Sequence, residues 1–119
     1  MSHIRFKVPQ ELAELALQAL EIAADSGKVR RGTNEATKAI ERSTAVLVYI
    51  AEDVQPPEVI AHLPLLCEEK NIPYIYVPTR QGLGTASGLD ISTAAIAIQD
   101  PGKAADSIKE VIEKVKGLK

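Results

Sequence analysis

Residues Ala45-Val46-Leu47-Val48-Tyr49-Ile50-Ala51 form an unbroken apolar run rich in β-branched side chains. Successive side chains of a strand point to opposite faces, so a strand that is apolar at every position must be covered on both. This segment therefore predicts a central strand with helices above and below it. Ile72 to Val77 and Ala94 to Ile98 read the same way, as a second and a third buried strand.

Between these runs the apolar period changes from two to that of a helix. Pro9 opens a first helix to Ser26, with Leu12, Leu15, Ala16, Ala19 and Ala23 inward and Gly27 as a left-handed stop. A short extended piece, Lys28 to Arg30, leads into a second helix capped by Gly32 or Thr33 and reaching about Arg42. After the Pro56-Pro57 turn, a third helix is expected to run to Lys70 and end at Asn71. Val59, Ile60, Leu63, Leu66 and Cys67 would lie on one face of it, with a kink at Pro64. Arg80 to Ser87 is a short Gly-rich helix and Gly88 opens a loop. Asp100-Pro101 starts a final helix with Ala105, Ile108, Val111, Ile112 and Val115 inward. Such alternation predicts an α/β fold, a single-domain three-layer α/β/α sandwich around a small mixed sheet, with right-handed crossovers between parallel neighbours.

At 119 residues and 45% hydrophobic content the chain suits one compact domain spanning 1–119 with a core that needs no staple. Cys67 is the only cysteine, so neither an intramolecular disulfide nor a thiol-based zinc cluster is expected. His3 and His62 are far apart in the sequence, and His62 falls in an apolar segment where a structural role is expected. No apolar run approaches the ~20 residues of a membrane span, and the N-terminus lacks the apolar stretch of a secretion signal. A soluble, intracellular, cytoplasmic protein with no membrane partner is the expectation.

The formal net charge is −2, which by itself does not favour nucleic acid. Its distribution is uneven. Lys28, Arg30, Arg31, Lys38 and Arg42 stand against Glu35 and Glu41, a local +3. From Ser43 to Thr79, Glu52, Asp53, Glu58, Glu68 and Glu69 stand against Lys70 alone, a local −4. One face can be basic while the whole is acidic.

The glycines 82, 84 and 88 lack dinucleotide spacing, since position 87 is Ser, and no P-loop ending follows them. Turn formation and close packing account for them better. No nucleophile and base pair suggests itself, and Glu52-Asp53 beside its proline turn reads as a solvated loop, so no reaction and no cofactor are indicated. The segment from Arg31 to Arg42 differs. Asn34, Lys38 and Arg42 are spaced i, i+4, i+8 and Glu35 precedes Lys38 by three, so one helical face carries an amide, a carboxylate and two cations. Ala36, Ala39 and Ile40 supply the buried face. A capped helix with a surface ion pair and a nucleic-acid interface both fit this arrangement. In an RNA site Glu35 makes sense only as an acceptor for base-edge donors, which implies bulged, splayed or non-Watson–Crick RNA. An aromatic stacking platform is disfavoured, because there is no Trp and Tyr49, Tyr74 and Tyr76 fall in strands expected to be covered.

Arg31-Gly32-Thr33-Asn34-Glu35-Ala36-Thr37-Lys38-Ala39-Ile40-Glu41-Arg42 resembles the signature of the L-seven-Ae family of kink-turn-binding ribosomal proteins. The segment His62 to Tyr74 and the stretch from Leu83-Gly84 to Leu89-Asp90-Ile91 resemble it too, so the likeness extends over essentially the whole chain. It implies a non-enzymatic protein that clasps a kink-turn and reads tandem sheared G·A pairs. Asn34, Glu35 and Lys38 would contact guanine edges, Gly32 and Thr33 would allow close backbone approach, Arg42 and Arg80 would be backbone contacts, and Arg31 would belong to the same RNA-binding segment. The loop Leu89-Asp90-Ile91-Ser92 would cover the flipped-out nucleotide, its aliphatic character being similar to archaeal members. The resemblance further implies a monomer serving as a core subunit of the large ribosomal subunit, box C/D and H/ACA guide particles and RNase P. In guide particles the partners would be the fibrillarin-containing modification proteins. A competing reading of the same fold is an accessory domain whose acidic stretch Glu52 to Glu69 docks a protein partner.

Overall fold

A computed structural model of the chain describes residues 5–118; His3 lies outside them. The element order is α1 (Gln10–Ser26), β1 (Lys28–Arg31), α2 (Thr33–Glu41), β2 (Leu47–Ala51), a 3₁₀ turn at Pro57–Val59, and α3 (His62–Lys70). There follow β3 (Tyr74–Val77), α4 (Arg80–Ala86), β4 (Ala95–Asp100), a 3₁₀ turn at Gly102–Ala104, and α5 (Ala105–Lys116).

The four strands form one sheet in the order β1-β4-β2-β3. β2 runs parallel to β3 and antiparallel to β4, which is antiparallel to β1, so the sheet is mixed as expected. Every residue of β2 and β3 is buried, as their apolar composition requires. Helices α1, α4 and α5 are grouped together, and α2 packs with α3 and β4, which gives the three layers. The extended piece after α1 is a fourth strand that ends at Arg31. Its alternating exposure suits a sheet edge.

Side-chain chemistry ties the layers together. The Tyr49 hydroxyl donates to the Ala16 carbonyl at 2.5 Å, joining β2 to α1 within the core. The ring of Phe6 lies 5.4 Å from that of Tyr74 and 5.2 Å from that of Tyr76. Tyr74 donates to Glu68 at 2.6 Å, and Glu68 also pairs with Arg5. The segment before α1 thus covers the edge of β3. All three tyrosines are fully buried, and burial raises the pKa of each hydroxyl.

Four local expectations are corrected. Gly27 ends α1 at φ −123°, outside the left-handed region; it is glycine because a Cβ there would run into the carbonyl of Asp100. Pro64 sits in the first turn of α3, where an N–H has no intrahelical partner to lose, so it makes no kink there. Val59 lies in the preceding 3₁₀ turn and is exposed, while Ile60 and Leu63 enter the core. At the last helix a 3₁₀ turn intervenes, so Ala104 is buried and Ala105 exposed. Asn71 does end α3, in the left-handed conformation at φ 59°.

Candidate nucleic-acid interface

The chain leaves β1 at Arg31 and must turn at once into α2. Gly32 makes that turn at φ +96°, a conformation most L-residues avoid. A Cβ at Gly32 would meet nothing within 4 Å, so the glycine is there for its backbone angle and leaves the approach open. Among the described residues no side chain caps α2, whose first intrahelical bond runs from Ala36 N–H to the Gly32 carbonyl. The N–H groups of Thr33, Asn34 and Glu35 therefore point out of the helix end without intrahelical acceptors, at the positive end of the helix dipole.

The outer face of α2 carries the expected residues. Asn34, Lys38 and Arg42 are exposed, and Ala36, Ala39 and Ile40 are buried beneath them. Lys38 Nζ lies 3.5 Å from Glu35 Oε2, both side chains being about half exposed. At ~1.5 Å per residue Arg42 stands roughly 12 Å along the helix from Asn34. It is therefore at the far end of this face. Thr37 donates to the Thr33 carbonyl at 2.7 Å and is 2.9 Å from His62 Nε2. His62 is thus an exposed residue at the start of α3, with the structural role its segment implied. Its contact is the structural tie between α2 and α3.

A second group of candidates reaches the same end of the sheet. The Gly32 N–H donates to the Ala95 carbonyl at 2.8 Å and the Ala51 N–H to the Ala94 carbonyl at 2.9 Å. The start of α2, the end of β2 and the start of β4 are therefore adjacent. The loop before β4 holds Leu89, half buried, and Asp90, Ile91 and Ser92, all exposed. Ile91 is 72% exposed, a notable placement for an isoleucine. Gly84 explains the position of this loop: a Cβ there would collide with the Ile91 carbonyl, so only glycine lets the loop lie against α4. Gly88 turns the chain into the loop at φ +84°.

Arg80 opens α4 beside this loop, and its carbonyl accepts the Thr93 N–H at 3.2 Å. Asp53 Oδ1 accepts the Arg80 backbone N–H at 2.8 Å and lies 3.7 Å from Arg80 Nε. Thr79 caps α4 through the Gly82 N–H, and Asp53 takes up the Arg80 N–H and anchors that residue, a role its loop context had concealed. With Asp90, Gln81 and Ser92 these two residues line a shallow open depression. Arg31 is the candidate placed differently: its guanidinium is turned to the protein and donates twice to the Ser87 carbonyl, at 2.7 and 3.0 Å. Within the acidic stretch, Asp53 and Glu68 are both engaged internally. Among the described residues no cluster of His, Cys, Asp or Glu could hold a metal ion, and no helix is long and apolar enough to cross a membrane.

The fold and this face define a small three-layer α/β protein with an uncapped glycine-led helix next to an exposed aliphatic loop. The chain belongs to the ribosomal protein L7Ae/L30e/S12e/Gadd45 family, whose model matches residues 14–108. Among solved structures it is similar to the Giardia lamblia 15.5kD RNA binding protein. The likeness covers 98% of this chain and 96% of that one, with 33% sequence identity and a TM-score of 0.88.

Proposed function

We propose that this chain is a non-enzymatic RNA-binding protein that recognises kink-turn RNA through the N-terminal half of α2 and the loop before β4. One observation carries the reading. Gly32 opens the helix end, and the outward N–H groups of α2, the Glu35 carboxylate and the Lys38 ammonium lie on one exposed face beside a loop that presents Ile91 to solvent. Outward N–H groups at a positive helix end suit phosphate. A carboxylate there suits only the donors of an exposed base edge, as in sheared G·A pairs. Asn34, Glu35 and Lys38 read guanine edges, Gly32 and Thr33 let the backbone approach, and Arg42 and Arg80 flank the RNA backbone. Leu89, Asp90, Ile91 and Ser92 cover an unstacked nucleotide with aliphatic surface. Family membership and the RNA-binding Giardia lamblia relative support this assignment.

On this reading the protein is a monomeric architectural subunit of the cytoplasm. It would serve the large ribosomal subunit, box C/D and H/ACA guide particles with their fibrillarin-containing modification proteins, and RNase P. The test is a gel-shift titration, at stated salt, with a kink-turn RNA and the same RNA whose G·A pairs are replaced by Watson–Crick pairs. Tight binding to the first alone is expected; equal weak binding to both refutes the assignment. Few phosphate contacts also imply a shallow salt dependence, since each adds only about 0.7–0.9 to the magnitude of the slope.

A further inference from the structure

The guanidinium of Arg31 is already committed within the protein. Its two donors meet the carbonyl of Ser87, the residue that closes α4. Carbonyls at a helix C-terminus lack intrahelical partners and carry the negative end of the dipole, so an ionised fork is a strong partner for one. Arg31 is itself anchored on both sides. Its backbone is in register with Ile96 of β4, and the next residue is the glycine that starts α2. Ser87 is fully buried, and its own hydroxyl donates to the Gly84 carbonyl at 2.9 Å. Immediately after it the chain turns at Gly88 into the exposed loop. Among the described residues no other side chain of β1 or α2 is hydrogen-bonded to the segment 80–92. Glu21 and Asp25 line the same depression as Arg31 and Ser87, and carboxylates at that place disfavour an incoming phosphate.

We infer that Arg31 is a positioning residue, a tether that holds the loop 88–92 at a set distance from the outer face of α2, and not a contact to the RNA backbone. This rests on the RNA-binding reading above and deepens it. α2 reads paired bases, the loop covers an unstacked one, and the Arg31 guanidinium ties the end of α4, where that loop begins, to the strand that leads into α2.

Arg31→Lys keeps the charge but not the planar two-pronged donor, so it separates tethering from charge. In the free protein, backbone amide exchange is measured for wild type, Arg31→Lys and Arg31→Ala. Both variants are expected to exchange at least ~10-fold faster at the hydrogen-bonded amides of Gly88, Leu89 and Thr93, with the amides of α2 unchanged. Binding is then compared on a kink-turn RNA and on the same RNA with its flipped-out nucleotide made abasic. Arg31→Lys should lose at least ~5-fold on the first and less than ~2-fold on the second, with an unaltered salt slope, whereas Lys38→Ala weakens both. Wild-type affinity in Arg31→Lys, with a slope lower by about 0.9 in Arg31→Ala, would make Arg31 a phosphate contact and overturn the inference. So would unchanged exchange in both variants. If the wild-type protein fails to distinguish the kink-turn from its Watson–Crick control, the RNA reading falls while the exchange data still decide the tether.

Discussion

Truncating Glu35 to Ala separates base reading from surface electrostatics, because the two give opposite signs. In the free protein Glu35 and Lys38 form a half-exposed i, i+3 pair at 3.5 Å, worth ~0.2–0.5 kcal/mol. Glu35 also lies in the first turn of α2, where a carboxylate gains about 0.3–1 kcal/mol from the helix dipole. Ala offsets part of both through its higher helix propensity. The variant should therefore lose no more than about 1.5 kcal/mol of stability and stay folded. In the complex, a carboxylate accepting from guanine donors is worth ~1–3 kcal/mol, so affinity for kink-turn RNA should fall about 5- to 150-fold. If Glu35 were only a negative charge near phosphate, its removal would tighten binding. The assay is a fluorescence-anisotropy titration at fixed salt, with melting curves to confirm folding. Lys38→Ala should cost at least ~10-fold, since it removes a cation from the face that meets the RNA. The double variant should lose less than the sum of the two singles if the residues act as a unit. Affinity for Glu35→Ala equal to or above wild type, in a folded protein, would refute base reading by this residue.

Three further outcomes follow from the geometry. Gly84→Ala places a Cβ on the Ile91 carbonyl; urea unfolding should show a loss of about 1–3 kcal/mol, and RNA affinity should fall with the displaced loop. Asp53→Ala removes the acceptor for the Arg80 N–H, so it should cost ~1 kcal/mol in urea unfolding, while Asp53→Asn keeps most of it. The tyrosine pKa values are raised by burial, so the unfolded chain releases their protons first as pH rises. Stability is then full below the unfolded value of about 10 and declines above it, by up to ~1.4 kcal/mol per pH unit for each tyrosine until its folded value is reached. Tyr49→Phe should make that alkaline decline shallower when denaturant midpoints are followed from pH 9 upward.

The strands were legible because a segment apolar at every position has little choice but to be central, as Val48, Tyr49 and Ile50 are. Helix ends were less legible. Pro64 and Gly27 carry strong local signals, but each fits several positions of a helix, and only the neighbours decide which. Pro64 depends on where the 3₁₀ turn at Pro57–Val59 hands over to α3. Gly27 depends on the carbonyl of Asp100, 73 positions further on. The α2 face was visible as a spacing, since Asn34, Glu35 and Lys38 are separated by helical intervals. Asp53, His62 and Ser87 were not recognised as parts of the site, because what they hold lies 25 to 56 residues away in the chain.

By itself the sequence determined the alternation of helices and buried strands and which face of α2 is polar. Both are matters of period, and period is local. Tertiary structure alone decided how the separate polar segments share one end of the sheet. Antiparallel β4 brings its start beside Gly32, Gly84 lets the Ile91 loop lie against α4, and Arg31 turns inward to Ser87. These placements arise from packing and hydrogen bonding between residues distant in the chain. No period or spacing encodes them.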